Sequence, residues 1–422
     1  METQGAMQEK PNACQEAGGN GVYRTKLSPP LISSSQHKSN RSSESAYSSN
    51  WLFCVVDWLP PDSGAVGQYA MISAREMAQN GRKASLIGLT SGCGETDRAI
   101  SDRGGVLEVR RLHAKRYNKS ALINRLIWSL SVNFKLILEV IRDPRSRGAD
   151  VQFSGSPPFM LFFAVLAKWL RGARLIYHIT DFYPEVIIAA RGIRTLPLAL
   201  LERVTWSLRK SVDVFLVLGE DQRRLLLAGG IAPERIELKR YGSPILITGR
   251  EKPASRPVEL AGRKVLLYSG NYGVAHETDT VVKGLIQHHR EGSGRFGLWL
   301  NGTGSGVETV INSLAAAGIP FARSEPVALD QLPSLLAAAD AHLIALRSGF
   351  SGLVVPSKVH GCLLSGRPIL YVGPASSDVH LLCMEARSAV YEHVEPGNIA
   401  GFAAALERLA QAADSRANTS TS

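Results

Sequence analysis

The sequence predicts an α/β protein of two doubly wound, Rossmann-like domains facing a central cleft. Three observations predict it. From Trp51 onward, short apolar runs alternate with amphipathic stretches, the pattern of a parallel sheet wrapped by helices. That pattern stops once, at the charged, proline-containing stretch Thr248-Gly-Arg-Glu-Lys-Pro-Ala-Ser-Arg-Pro257, and then restarts. The 422 residues also exceed what one core typically organises. The expected division is a disordered tail over 1–48, an N-terminal domain over 49–247 and a linker over 248–262. A C-terminal domain over 263–396 and a closing helix and tail over 397–422 complete it.

In the first half, apolar runs predict strands at Trp51–Val56, Ala84–Gly88, Asp150–Phe153, Arg174–Tyr177, Val212–Leu218 and Arg235–Leu238. Helical spacing predicts helices at Tyr69–Gln79, Ala121–Ile141, Pro158–Leu170, Pro197–Arg209 and Asp221–Ala228. In the second half, strands fit Lys264–Ser269, Gly297–Leu300, Ala341–Leu346, Pro368–Val372 and Ala389–Tyr391. Helices there fit His276–His289, Gly306–Ala317, Asp330–Ala338, Ser357–Leu364, Asp378–Ala386 and Asn398–Ala412. Two such domains place ligands at the carboxyl ends of their strands.

Composition narrows the class. Residues before Asn50 are rich in Ser, Gln, Asn and Gly, with no apolar export segment, so a cytoplasmic location is expected. Five scattered cysteines without a Cys-x-x-Cys pair argue against a disulfide framework or a zinc site. The stretch Pro158–Leu170 is too short to span a bilayer and reads as a buried helix. Net charge of +11 and a pI near 9.5 suit an anionic partner; no nucleic acid is expected. The basic excess concentrates between Arg103 and Arg147, around apolar residues at helical spacing over Leu122–Leu138. Such a helix either lies on an anionic membrane surface or packs on a core with a solvated basic face.

Candidate chemistry clusters at strand-to-helix turns. The strand ending at Ser269 runs into Gly270-Asn271-Tyr272-Gly273, with His276 at the following helix start. Such a turn is either a plain tight turn or a cradle of main-chain N–H groups for phosphate. Asn301-Gly302-Thr303-Gly304 follows the next strand but breaks the dinucleotide fingerprint, since Val307 stands where its third glycine belongs. In Val355-Pro356-Ser357-Lys358, proline marks a helix start, placing Lys358 as a diphosphate clamp or as a solvent-facing lysine. Gly64 and Gly67, after the first strand, offer an acceptor-side backbone approach or a simple loop. Asp181 and Glu185, after the strand ending near Tyr177, either orient an acceptor hydroxyl or remove its proton, or else cap a helix. No phosphate loop of the Walker type, no His-Glu-x-x-His, no Gly-x-Ser-x-Gly and no Asp-x-Asp occurs. No metal site is expected, and diphosphate charge falls to N–H groups, helix ends and basic side chains.

In this order the chain resembles the GT-B glycosyltransferases of family 4, especially those of bacterial surface-polysaccharide synthesis, from about Trp51 to Ala412. The marks are Ser154-Gly-Ser-Pro-Pro158, Asp181-Phe-Tyr-Pro-Glu185, Tyr268-Ser-Gly-Asn-Tyr-Gly273 with His276, and Asn301-Gly-Thr-Gly304. Leu332 to Asp340, and Val355-Pro-Ser-Lys358 running to Ser365-Gly-Arg-Pro368, complete the set. The resemblance implies a retaining, metal-independent, hexosyltransferase-type enzyme that needs no cofactor beyond a nucleotide diphosphate sugar, with a lipid-linked or polysaccharide acceptor. It implies that Gly270, Asn271 and Gly273 line the diphosphate and sugar, that Ser357 and Lys358 hold the phosphates, and that Asp181 lies near the acceptor or the transferred sugar. It also implies a peripheral position at the inner membrane face. One departure stands out. The two glutamates usual in the family are replaced by Leu353 and Gly361, with His360, Ser351 and Asp378 as candidate substitutes. That loss sustains a rival reading, a non-catalytic protein that binds a nucleotide sugar or partners an active enzyme; a sugar-nucleotide epimerase is a third.

Overall fold

The computed structural model describes residues 24–26, 50–62, 65–115, 122–240, 242–243, 245–248, 250–386 and 390–419. The described chain divides into two compact units, the first ending at Arg174 and the second beginning at Leu175. Both are built on parallel sheets, in agreement with the Rossmann-like α/β class expected from sequence.

The first unit contains β1 (Arg24–Lys26), β2 (Trp51–Trp58), α1 (Ala65–Gln79), β3 (Lys83–Thr90), β4 (Glu95–Ile100) and β5 (Val106–His113). It continues with α2 (Leu122–Arg142), β6 (Asp150–Ser154) and α3 (Met160–Arg171). The strand order is β1-β4-β5-β3-β2-β6. Strands β6, β2, β3 and β5 are parallel, and β4 runs antiparallel to β5. Of the expected tail only Arg24–Lys26 is described, and it is a strand parallel to β4. Strands β4 and β5 were not expected, because their charged residues hide the apolar pattern.

Those charges correct the reading of the basic stretch between Arg103 and Arg147. Arg110 and Arg145 share Glu108 and Asp143, and Arg111 bonds Glu95 and Asp97. The two arginines hold the Asp143 carboxyl well below the usual carboxylate range against the opposing effect of burial. Much of the apparent basic patch is therefore internally neutralised. A second correction concerns α3. It was expected to be buried, yet its outer side leaves Leu166, Trp169 and Leu170 exposed.

The second unit begins with the parallel strands β7 (Arg174–Ile179), β8 (Val214–Val217) and β9 (Ile236–Leu238). Helices α4 (Glu185–Arg191), α5 (Leu196–Arg209) and α6 (Glu220–Ala228) connect them. Then follow β10 (Lys264–Ser269), α7 (Asp279–Glu291), β11 (Phe296–Asn301), α8 (Val307–Ala316), β12 (Phe321–Ser324) and α9 (Leu332–Ala337). The unit closes with β13 (Ala341–Ala345), α10 (Lys358–Leu364), β14 (Ile369–Val372), α11 (Asp378–Glu385), β15 (Tyr391–Val394) and α12 (Ile399–Thr419). The order β12-β11-β10-β13-β14-β15 is parallel throughout. Along β10, Leu266 and Tyr268 enter one apolar cluster while Val265 and Leu267 enter another, so both sheet faces are covered.

Among the described residues no helix is long and apolar enough to cross a membrane. Cys54, Cys362 and Cys383 are free, whereas Cys93 is disulfide-bonded, against the expectation drawn from cysteine spacing.

Candidate functional site

Strand order reverses between β10 and β13, and the crevice at their carboxyl ends is where doubly wound sheets bind ligands. The turn after β10 holds Gly270 at φ +122°, and its N–H donates to Asn301 O at 2.9 Å. A Cβ on Gly302, at φ +152°, would lie 1.9 Å from Gly270 O. Tyr272 N donates to Thr303 O (2.7 Å) and Gly306 N to Tyr272 O (2.9 Å). The two glycine turns are thus one interlocked piece. Gly302 and Gly304 serve the close approach of the turns, leaving Gly270, the exposed Asn271 and Gly273 toward the crevice.

His276 lies in this piece rather than on a helix, because α7 starts only at Asp279. The earlier start expected from sequence is prevented by a turn: His276 N donates to Gly273 O (3.1 Å), and Tyr272 Oη donates to Glu277 O (2.6 Å). Burial, with help from the charge of Lys358, pushes the His276 imidazole down to about 3. The neutral ring donates from Nδ1 to Gly273 O at 3.1 Å.

Lys358 is the unusual group. Its side chain passes beside Gly270, where a Cβ would lie 3.7 Å from both Cε and Nζ. Its Nζ is buried without a hydrogen-bond partner and stands 3.3 Å from the centre of the Tyr268 ring. Burial pushes this amine down to about 7. An anion entering at Gly270 would meet a cation with no competing carboxylate. Ser357, at the exposed start of α10, makes no capping bond. Arg347, just past β13, was missed in the sequence; its Nη1 donates to Val274 O (3.1 Å) and its N to Ala275 O (2.8 Å). Its position after a strand at the reversal point was the signal available.

Asp181 is brought to the same loop. It forms a β-bridge with Val354, and Phe182 N donates to Leu353 O at 3.0 Å. Glu185 is not brought there. Its carboxylate is held by the fully buried Arg209, through a short contact to Nη1 and a 2.9 Å bond from Nη2. A carboxylate engaged on both oxygens by Arg209 ties the start of α4 to the end of α5.

One of the candidate substitutes for the missing glutamates is likewise occupied. Asp378 is buried, accepts from Glu220 N (3.0 Å) and pairs with Arg240 (2.6 Å). Burial pushes His360 down to about 4. Ser351, whose Oγ lies 3.4 Å from Ser376 Oγ, retains an exposed hydroxyl pair.

In the first unit Gly64 lies outside the described residues. Gly67 is buried, and a Cβ on it would lie 1.9 Å from Trp58 O, so it serves the packing of α1 on β2. Strand order also reverses here, between β2 and β6, and the residue found there was missed. Asp57, near the end of β2, accepts from Ser156 Oγ at 2.6 Å on one oxygen, while Oδ1 is buried without a partner. Burial raises its pKa. The neighbouring Phe159 sits at φ +70°, a conformation bulky residues rarely adopt.

A separate cavity of about 770 Å³ runs along α5, between Leu196 and Lys210, and is lined by none of these residues.

Residues 64–242 match the family model of the glycosyl transferase 4-like domain. A curated relative described as a probable glycosyltransferase WbjE, of Pseudomonas aeruginosa, is 23% identical over 343 residues, covering 78% of this chain and 82% of the relative. The Anabaena HepE protein, solved with UDP and glucose, aligns with a TM-score of 0.55 at 13% identity, over 85% of this chain and 89% of its own. WaaG, a glycosyltransferase involved in lipopolysaccharide biosynthesis, aligns with a TM-score of 0.54 at 15% identity, over 85% and 90%. At these identities the two structures speak for the fold.

Proposed function

We propose that this chain, with its GT-B fold and its match to a glycosyl transferase 4-like domain, is a glycosyltransferase that moves a sugar from a nucleoside diphosphate donor to a lipid-linked or polysaccharide acceptor. The observation that carries the donor half is Lys358, a buried amine without a partner beside Gly270 at the strand-order reversal. A diphosphate satisfies it and recharges it. In this reading Gly270, Asn271 and Gly273 approach the phosphates through the main chain, and Ser357 adds a hydroxyl. The leaving diphosphate is stabilised by electrostatics, so no covalent nucleophile is required.

The relatives support this chemistry. HepE was solved with UDP and glucose, and WaaG works in lipopolysaccharide biosynthesis. We assign Asp181 to orienting the transferred sugar or the acceptor hydroxyl. We assign Asp57 to the acceptor side, where its unbonded oxygen suits a hydroxyl donor. Retention of configuration and independence of metal belong to the same proposal. With a lipid-linked acceptor, the enzyme works as a peripheral protein at the inner membrane face.

The test is thermal stabilisation by a panel of nucleoside diphosphates and nucleotide sugars, on wild type and Lys358→Ala. A ligand at about 100 times its Kd stabilises by about 2.7 kcal/mol. One nucleotide class is expected to shift the wild type and not the variant. A panel without any shift, or an equal shift in both proteins, overturns the donor assignment.

A further inference from the structure

Tyr268 is the last but one residue of β10 and is fully buried. A core position at a strand end asks only for an apolar side chain, so the hydroxyl needs its own explanation. It donates to Asn271 O at 2.8 Å, reaching past Ser269 and Gly270 to the turn that follows the strand. Burial holds this hydroxyl well above its usual pKa, so it stays protonated and remains a donor.

The ring is fixed by its neighbours. Tyr272 packs against it with 4.6 Å between centroids, and the His276 imidazole crosses it nearly at right angles at 5.7 Å. Both neighbours are tied down in turn, Tyr272 Oη to Glu277 O (2.6 Å) and His276 to Gly273 O (3.1 Å). Against this ring stands Lys358 Nζ, 3.3 Å from the centroid and without a hydrogen-bond partner. The titratable groups beside the amine are Cys362, one turn along α10, and His276. Burial keeps both neutral near neutral pH, so neither holds the lysine by charge.

We infer that Tyr268 is the positioning residue of the donor site, its ring fixing Lys358 and its hydroxyl fixing the turn at Gly270 and Asn271. One side chain then presents both a cation and main-chain groups to a nucleoside diphosphate. Lysine has a long flexible stem whose rotamers must be frozen before it meets a ligand. A ring face that attracts the ammonium removes that cost in advance. The ring stays beside Nζ once a diphosphate restores its charge, so it favours the bound form over the free one.

The inference rests on the donor reading above, but the pairing of ring and lysine is read first without any donor. Protons over an aromatic face shift upfield in a magnetic resonance spectrum. In protein carrying isotope-labelled lysine, the ε-methylene signal of Lys358 is expected upfield of the other lysines and is identified by its loss in Lys358→Ala. It should stay upfield in Tyr268→Phe and return to the ordinary position in Tyr268→Leu.

Binding is then read by calorimetric titration with UDP and with GDP. Tyr268→Phe keeps the ring and loses one bond to the turn, so its Kd should rise about fivefold. Tyr268→Leu loses both and should bind about thirtyfold more weakly or worse. Leu266→Ala, in the same strand and the same apolar cluster, controls for a weakened core. It should lower the melting temperature and leave Kd within about twofold of wild type. Tyr268→Met, which fills more of the space without a ring face, replaces Tyr268→Leu if that protein does not fold.

A Lys358 signal at the ordinary position in wild type overturns the inference, as does one that Tyr268→Leu leaves upfield. A Tyr268→Leu protein that binds as well as Tyr268→Phe, or no worse than Leu266→Ala, overturns it too. If the upfield signal is present but neither UDP nor GDP binds wild type, the donor reading fails while the pairing of ring and lysine stands.

Discussion

If Lys358 meets the diphosphate, binding must take up a proton. In the free protein the amine sits at about 7 because its Nζ is buried against Tyr268 with no partner. Beside two phosphates it returns to at least the ordinary lysine value, about 10.4. At about pH 8, only about one free molecule in ten carries the charge, whereas nearly every complex does. About 0.9 proton therefore enters with each ligand. The sign follows directly: the bound state holds more protons between the two values, so affinity is greatest below about pH 7. Above it, Kd rises about tenfold per pH unit. The terminal phosphate of a nucleoside diphosphate, with a pKa near 6, is already ionised at that pH and adds little. Calorimetric titration at about pH 8, in two buffers of different ionisation enthalpy, reads the uptake as the slope of the observed heat. Lys358→Arg, whose charge does not titrate, should bind with a slope near zero. Equal heats in both buffers for wild type, with Kd unchanged from about pH 7 to 9, would refute the reasoning.

Other consequences are accessible without a substrate assay, or with a simple one. Glu185→Gln or Arg209→Met breaks a buried pair and should cost about 3–5 kcal/mol in urea unfolding, whereas replacing both with apolar residues should cost much less. A Glu185→Gln protein of full stability that has lost transfer would restore Glu185 as a catalytic group. Gly302→Ala drives a Cβ into Gly270 O and should abolish nucleotide stabilisation along with lowering the melting temperature; Gly318→Ala, open around its Cβ at φ +70°, should cost only roughly 1–2 kcal/mol and leave nucleotide binding intact. Asp57 has its pKa raised by burial, so its charged form destabilises the fold as pH rises through the folded value. Asp57→Asn should accordingly melt higher than wild type at neutral pH while transfer falls, and a loss of stability would remove Asp57 from its proposed role.

How much of this was legible depended on whether the signal was local. Strand β10 running into Gly270, and Pro356 before Lys358, are local patterns, and both turns lie where the sequence places them. Their interlock was not visible, because Gly302 answers to the carbonyl of Gly270, 32 positions earlier. Strands β4 and β5 were hidden for a related reason. Glu108 and Arg110 look like solvent residues until Asp143 and Arg145 are seen to neutralise them from another part of the chain. Asp57 reads as one acid near a strand end; its buried, half-bonded state exists only once Ser156 is folded against it. On α3 the error ran the other way. Apolar density predicts burial when the alternative solvent is water, and Trp169 and Leu170 violate that assumption.

The bonds around Asp378 have a consequence for handling the protein. Arg240 and Glu220 N hold Asp378, Gly352 N and Asp378 N both donate to Asp221, and Phe182 N donates to Leu353 O. All of these join residues on opposite sides of the stretch Thr248–Pro257, the segment a protease would choose from sequence. A nick there cuts the chain without freeing its pieces, which should co-elute from a sizing column and part only in denaturant. A fragment begun after the nick would keep Lys358 and both glycine turns but leave Asp378 a buried carboxylate stripped of its arginine. Expression of a donor-binding piece should therefore start near Leu175, where the compact unit itself begins.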